Sequence, residues 1–397
     1  SKCIYSILSL NIANNIMTIK KFKINIEESK ISRIYQKVIE YDWNIIANLD
    51  DWNQGTNKVY LKGLCSYWVD KYDWRKYEKV LNNFSNFKTK VDDINIHFIK
   101  EIGSGSNPKT LLLMHGWPGS VFEFYKIIDQ LAHPENYGGL KEDGLTVIAP
   151  SLPGFGFSDP PKKPMGPRKI AEVINKLMVD NLEYENYVAQ GGDWGATIAN
   201  WLGHDYSNNC KAIHINCLTM RHPDGPKTEE EKKWLKKFDQ DQIIQDGYRT
   251  QQATKPQTLS YAMMDSPVGI AAWIIEKIHG WSDLKNENIE SVFSKDELLT
   301  NIMIYLCTDS FNTSTWIYFG RREEGGRFFP KDFKKIKIPT GVAIFPKEMS
   351  EWPPRTYVER IFNIKQWSEM NSGGHFAALE KPDLLSEDIK NFFKNIY

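Results

Sequence analysis

Between about residue 95 and residue 215, short apolar runs alternate with longer stretches of helical periodicity. Ile94 to Ile99, Leu111 to Met114, Leu145 to Ala149, Tyr187 to Gln190 and Ala212 to Ile215 are too short for buried helices and predict strands. Phe122 to Leu131 and Lys169 to Leu182 predict helices between them. Strands that alternate with helices imply right-handed crossovers and a mostly parallel sheet. The alternation stops at residue 221, and residues 221 to 325 read as largely helical. It resumes at Thr340 to Phe345 and Phe362 to Glu369. A helical block inserted between strands predicts a lid over the carboxyl ends of the sheet, where open α/β sheets hold their sites. Residues 20 to 95 read as mostly helical and carry Trp43, Trp52, Tyr67, Trp68, Tyr72 and Trp74. Rings in that number must bury themselves, which predicts an appendage packed on the core.

Four segments follow: 1–95 as an N-terminal extension and helical meander, 96–220 as the first part of the core, 221–325 as the lid, and 326–397 as the second part of the core. A length of 397 residues and 41% hydrophobic content suit one large α/β domain with insertions. The 50 basic residues balance the 50 acidic ones, which argues against nucleic acid or an anionic membrane surface as a partner. The basic cluster Lys232 to Lys237 is flanked by Glu229, Glu230, Glu231, Asp239 and Asp241, and reads as a solvated helix face. Cys3, Cys65, Cys210, Cys217 and Cys307 are odd in number and lack C-x-x-C spacing, so neither a disulfide framework nor a zinc site is expected. A reducing, cytoplasmic setting is the simpler expectation. Ile4 to Met17 is apolar but interrupted by Asn11, Asn14 and Asn15, and falls short of the roughly 20 apolar residues that span a bilayer. It reads as an extension without a transmembrane segment, ahead of a more ordinary soluble start at Met17.

Three glycine-rich loops follow predicted strands. Gly191-Gly192-Asp193-Trp194-Gly195-Ala196 lies between a strand and the helical Thr197 to Leu202. A sharp strand-to-helix turn needs small residues on both sides of its apex, and here the apex is Asp193. Taken alone, the same motif also fits a helix-capping aspartate. A carboxylate that attacks a saturated carbon forms an ester, which water can then split at the enzyme's own carbonyl. A serine there would be left as an ether. Asp193 as nucleophile therefore points to epoxides or alkyl halides. His115-Gly116-Trp117-Pro118-Gly119-Ser120 offers the Trp117 N–H which, with that of Trp194, is expected to form an oxyanion hole. His115 itself is expected to hold the loop by hydrogen bonds. The loop from Leu152 to Ser158 is expected only to shape the site. Gly373-Gly374-His375-Phe376 follows the last strand, and the order nucleophile, acid, histidine makes His375 the base. Its acid should follow Thr340 to Phe345, which selects Glu348, with Glu351 as rival.

These motifs together resemble the microsomal-type epoxide hydrolases, including the juvenile hormone epoxide hydrolases, of the α/β-hydrolase superfamily. The resemblance runs from about residue 20 to 395. It includes Tyr67-Trp68 and Tyr72-Asp73-Trp74-Arg75, and the stretch from Asp246-Gly247-Tyr248 through Thr254-Lys255-Pro256 to Asp265-Ser266-Pro267-Val268-Gly269. It implies the α/β-hydrolase fold, with a helical lid insertion and an N-terminal helical meander. It also implies two lid tyrosines that donate to the epoxide oxygen. Tyr248 matches the first. Tyr318 matches the second more loosely, because Thr313-Ser314-Thr315-Trp316 replaces the family's Ser-Ser-x-Arg, and Tyr261 is the rival. The family's acid position falls on Glu348. Detoxification and aromatic hydrocarbon catabolism are settings the resemblance implies.

The expected reaction converts an apolar epoxide and water to a vicinal diol through an ester on Asp193. Neither a metal nor an organic cofactor is needed. Trp273, Trp281, Phe311 and Trp316 in the lid are expected to favour an apolar substrate. A haloalkane dehalogenase would share Asp193, Trp194 and His375, but halide leaves without a proton and makes a tyrosine pair unnecessary. A non-catalytic hydrolase-fold binding protein would be expected to lack a triad member. Monomer and homodimer both fit the sequence.

Overall fold

The apolar runs form the middle of one nine-stranded sheet in a computed structural model, which describes residues 18–396. Cys3 and the stretch from Ile4 to Met17 lie outside the described residues. The strands are β1 (Lys20–Lys21), β2 (Asn86–Val91), β3 (Ile94–Glu101), β4 (Thr110–Met114), β5 (Thr146–Pro150), β6 (Tyr187–Gly191), β7 (Cys210–Ile215), β8 (Ile336–Ile344) and β9 (Phe362–Glu369). Their order across the sheet is β1-β2-β3-β5-β4-β6-β7-β8-β9. From β5 to β9 every pairing is parallel, whereas β1, β2, β3 and β5 pair antiparallel. Every residue of β4, β5 and β6 is buried. Parallel strands with helices on both faces have no solvated side, so they read as continuous apolar runs.

Two expectations need correction. The segment from 20 to 95 is not helical to its end, because β2 and β3 form a hairpin from Val91↔Ile94 to Asn86↔Ile99. Phe87 and Thr89 face the sheet between lysines, an alternation that extends the sheet by edge pairing. The stretch from Phe122 to Leu131 is also not one helix. It divides into a 3-10 turn, Val121–Phe124, and a short helix, Ile128–Ala132.

The N-terminal helices Glu28–Ile39, Lys58–Asp70 and Trp74–Asn82 bury one stripe each, as Ile31, Ile34 and Val38 do on the first. They pack on the lid as well as on the core. The Tyr67 and Tyr77 hydroxyls donate to Asp296 at 2.8 and 2.9 Å, and Trp52 stacks on His279 at 3.7 Å.

The insertion between β7 and β8 leaves the sheet at Arg221 and returns at Phe328, where the two strands of its neck are bridged. Arg221 N–H donates to Arg327 O at 2.8 Å, and Phe329 N–H to Arg221 O at 2.9 Å. Inside the neck are the helices Glu229–Gln245, Gly247–Thr254, Pro256–Met263, Pro267–Gly280, Lys295–Cys307 and Trp316–Glu323. Capping boxes at Thr228/Glu231 and Ser294/Glu297, and prolines at Pro256 and Pro267, start four of them. The first helix exposes Lys232, Lys233, Lys236 and Lys237 while burying Trp234 and Phe238, so the basic cluster is a solvated face. No helix among the described residues is long and apolar enough to cross a membrane.

Candidate active site

The turn from β6 into the helix Asp193–Asp205 is as tight as its glycines predict. A Cβ on Gly191 would lie 2.2 Å from the Gly195 carbonyl carbon, and one on Gly195 would lie 2.1 Å from Met114 O. Asp193 at the apex has φ +47°, a left-handed conformation that is strained for a side chain with a Cβ. The helix cap is Gly192, and Asp193 is the first helical residue, so it is not the capping aspartate the motif alone also allowed. Its carboxylate is driven against the next loop, where a Cβ on Gly116 would lie 2.2 Å from Oδ1. That contact lets the Trp117 N–H donate to Asp193 Oδ1 at 2.8 Å. The Trp194 N–H belongs to the first turn of the same helix, where backbone N–H groups have no helical acceptor.

His375 reaches the other carboxylate oxygen, with Nε2 3.3 Å from Asp193 Oδ2. Its Nδ1 is bonded to Glu348 Oε1, and both side chains are buried. The His375 N–H donates to Trp281 O at 2.8 Å, and the rings of those residues pack edge-on at 5.0 Å. Burial opposes a charge on the imidazole. Glu348 on one side and Asp193 on the other outweigh it and hold His375 well above its usual value. Glu351, the rival acid, is exposed and paired with Lys237. His115 is fully committed to the loops: Nδ1 lies 3.1 Å from Gly116 O, and Nε2 accepts from the Leu152 N–H at 3.1 Å. Burial lowers it to about 4, so it stays neutral.

The lid brings Tyr248 and Tyr318 onto the same spot. Tyr248 stacks on Trp117 at 5.4 Å, and Tyr318 packs edge-on against Trp117 at 5.7 Å and Trp194 at 4.7 Å. The two tyrosine rings are 5.9 Å apart. Burial, then the Asp193 carboxylate, pushes the Tyr248 hydroxyl up, while Arg327 and Arg321 pull it back. Burial, Tyr248 and Asp193 push Tyr318 up. Both hydroxyls therefore keep their protons at neutral pH. Tyr261 is 76% exposed, which removes it as a rival. Of the four lid aromatics singled out in the sequence, Trp281 stands against His375, whereas Phe311 is fully buried in the core.

One residue escaped the sequence reading. Glu123 lines a cavity of about 20 Å³ together with Gly116, Asp193 and His375. Burial pushes its carboxyl up to about 8, against the pull of His375. A lone acid among Val121, Phe122, Phe124 and Tyr125, just after the oxyanion loop, was the available signal. Cys217, Glu348 and His375 also lie close enough together to suggest a metal site. The donor set does not favour one. Glu348 occupies the imidazole Nδ1, and burial, then the Glu348 and Asp193 charges, keep the Cys217 thiol protonated.

Comparison with known proteins shows the family. The family described as "Epoxide hydrolase N terminus" matches residues 19–124, and the family "alpha/beta hydrolase fold" matches residues 109–263. The chain is 36% identical to epoxide hydrolase 1 of Sus scrofa, over 94% of this chain and 88% of the relative. It is 34% identical to juvenile hormone epoxide hydrolase 2 of Ctenocephalides felis, over 94% of this chain and 84% of the relative. The crystal structure of juvenile hormone epoxide hydrolase from the silkworm Bombyx mori superposes with a TM-score of 0.85 at 27% identity, covering 96% of this chain and 95% of that one.

Proposed function

Because this chain belongs to the microsomal-type and juvenile hormone-type epoxide hydrolase family and is an epoxide hydrolase of the α/β-hydrolase fold, we infer that it opens its substrate by covalent catalysis at Asp193. The observation that carries this reading is the carboxylate held between Trp117 N–H and His375 Nε2, beneath two protonated tyrosines.

In the first step Asp193 Oδ2 attacks an oxirane carbon, and the C–O bond to the ring oxygen breaks. Tyr248 and Tyr318 donate hydrogen bonds to that oxygen as it gains charge, and one of them passes it a proton. An alkoxide is a poor leaving group, so donors that strengthen with developing charge lower this barrier. In the second step His375, oriented by Glu348, takes a proton from water, which adds to the ester carbonyl carbon of Asp193. The Trp117 and Trp194 N–H groups hold the resulting oxyanion. Collapse breaks the ester C–O bond, the released diol oxygen takes the proton of the added hydroxyl, which restores the carboxylate, and the imidazolium proton returns to the tyrosine that gave up its own. The cavity of about 20 Å³ between Asp193, His375 and Glu123 has room for one water. Trp117, Trp281 and the tyrosine rings give the substrate an apolar surround, which supports an epoxide with an apolar body.

The half-reactions separate by mutation. His375→Gln should be alkylated but should not release diol, so intact mass should show protein plus one substrate under saturating epoxide. Asp193→Ala should form neither adduct nor diol. An unmodified His375→Gln mass, or an Asp193→Ala variant within tenfold of wild type, would refute the covalent route.

A further inference from the structure

The site just described leaves an excess of buried positive charge beside it. Arg221 and Arg321 are buried, and Arg249 and Arg327 partly buried, at the neck of the lid beside Tyr248, answered by Asp246 and, at longer range, by Asp239. Asp246 pairs with Arg249 and lies 3.6 Å from Arg327. Arg221, 5% exposed, has the carbonyls of Leu218 and Met220 at 3.4 and 3.2 Å and the rings of Trp234 and Phe238. Arg321, also 5% exposed, has the Thr219 hydroxyl at 3.4 Å and the Trp194 ring. Among the described residues neither has a carboxylate partner. Burial, then repulsion from Arg327, lowers Arg221 to about 10 and Arg321 to about 9. The Arg327 Nε is buried and unpartnered.

Charge buried in this way is unfavourable unless an opposite charge reaches it. A route exists. Arg221 and Arg327 line a cavity of about 30 Å³ with Gln242, Tyr248 and Trp281. The space exceeds what one water needs and suits a carboxylate, whose two oxygens match the fork of a guanidinium. Tyr248 and Trp281 line this cavity and also pack against the reacting centre, Tyr248 on Trp117 and Trp281 on His375. Tyr248 and Trp281 are therefore walls shared by this cavity and the reacting centre.

We propose that the cavity between Arg221 and Arg327 seats a carboxylate carried by the substrate, so that the preferred epoxides are epoxy acids with an apolar body. This deepens, and rests on, the reading of Asp193 and the tyrosine pair as the epoxide-opening machinery.

The test compares an epoxyhexanoate, its methyl ester and an epoxyhexane by kcat/KM. Wild type should prefer the acid over the ester by about tenfold or more, the range for charge-assisted hydrogen bonds. The ratio should fall toward one in Arg327→Met and be partly kept in Arg327→Lys. Butanoate should compete with the acid in wild type and raise its thermal midpoint more than butanol does, a measurement that does not depend on any variant folding. Equal turnover of acid and ester while epoxyhexane is hydrolysed would overturn the subsite and leave the epoxide-opening reading intact. An unchanged ratio in Arg327→Met would also overturn it. If inorganic phosphate raised the midpoint while acid and ester were turned over equally, the cavity would belong to a free anion and the substrate role would fall. If all three epoxides were inert, the underlying reading would fail, and the subsite with it.

Discussion

At the scale of single residues, the site depends on what a missing Cβ permits. Gly116 lets the Asp193 carboxylate reach the Trp117 N–H, and a methyl group would lie 2.2 Å from Oδ1. Gly116→Ala should therefore leave the fold intact but slow hydrolysis of the ester intermediate by about 100- to 1,000-fold, the scale of losing one oxyanion donor. Rapid-mixing measurement of adduct decay checks this. The charge on His375 is coupled to the same carboxylate. Once Asp193 is an ester, one of the two charges that raise the imidazole is gone, and His375 falls toward its ordinary value. Ester hydrolysis should then show a lower apparent pKa than titration of the free enzyme, read from single-turnover rates across pH. Because both tyrosines are pushed up, alkylation should not decline until the pH passes the usual tyrosine range near 10. Glu123 gives a stability signature with a definite sign. Its carboxyl rises from 4.5 to about 8 on folding, so its contribution is complete below about pH 4.5 and is lost as pH rises through 8. Glu123→Gln removes that titration, so its stability should fall less than wild type's between pH 5 and 9 in denaturant melts.

At the scale of elements, two lid helices carry the proposed proton donors, and their seating decides where the hydroxyls point. Gly320 lies two residues after Tyr318 on the helix Trp316–Glu323, and a Cβ there would sit 2.2 Å from Gly166 N. The helix thus rests directly on backbone at the start of the helix Pro167–Lys176. Gly320→Ala must lift it and move Tyr318. The expected loss in kcat is about 100-fold, the cost of misplacing a catalytic group by roughly 1 Å, with little change in secondary structure by circular dichroism. Tyr248→Phe and Tyr318→Phe should each slow alkylation without abolishing it, and the double variant should be far slower than either. An undiminished alkylation rate in the double variant would remove the assigned role. The helical character of the lid was legible in the sequence. The hairpin at β2 was not, because Asn86 to Val91 alternates lysines with buried residues and pairs only when β3 is beside it.

At the scale of the whole molecule, the N-terminal helices brace the lid from outside. Asp296 accepts from Tyr67 and Tyr77, Thr300 lies 3.0 Å from the Tyr72 hydroxyl, and Thr56 donates to Ala272 O at 2.6 Å. Trp68, on the helix Lys58–Asp70, is fully buried. Trp68→Ala should cost about 3–5 kcal/mol in chemical denaturation, the range for emptying a core aromatic site. One shared core predicts a single transition, and a separate early transition of the lid would contradict the bracing.

The sequence by itself determined the alternation of strand and helix, the three glycine-rich loops after strands, and the order Asp193, Glu348, His375. These are local matters: a short apolar run, a turn that only glycine fits, and a fixed order of residues along the chain. The family resemblance carried by its motifs put the acid on Glu348, with Glu351 as rival, and the first lid tyrosine on Tyr248. Only the tertiary structure decided the rest. It placed Tyr318 over Trp194 and left Tyr261 in solvent, turned Phe311 into the core and Trp281 toward His375, and aimed Glu123 at the same cavity. It also brought Arg221, Arg249, Arg321 and Arg327 together, with Asp246 reaching only Arg249 and Arg327. Burial and charge balance depend on neighbours far away along the chain, and no local pattern encodes which of them will meet.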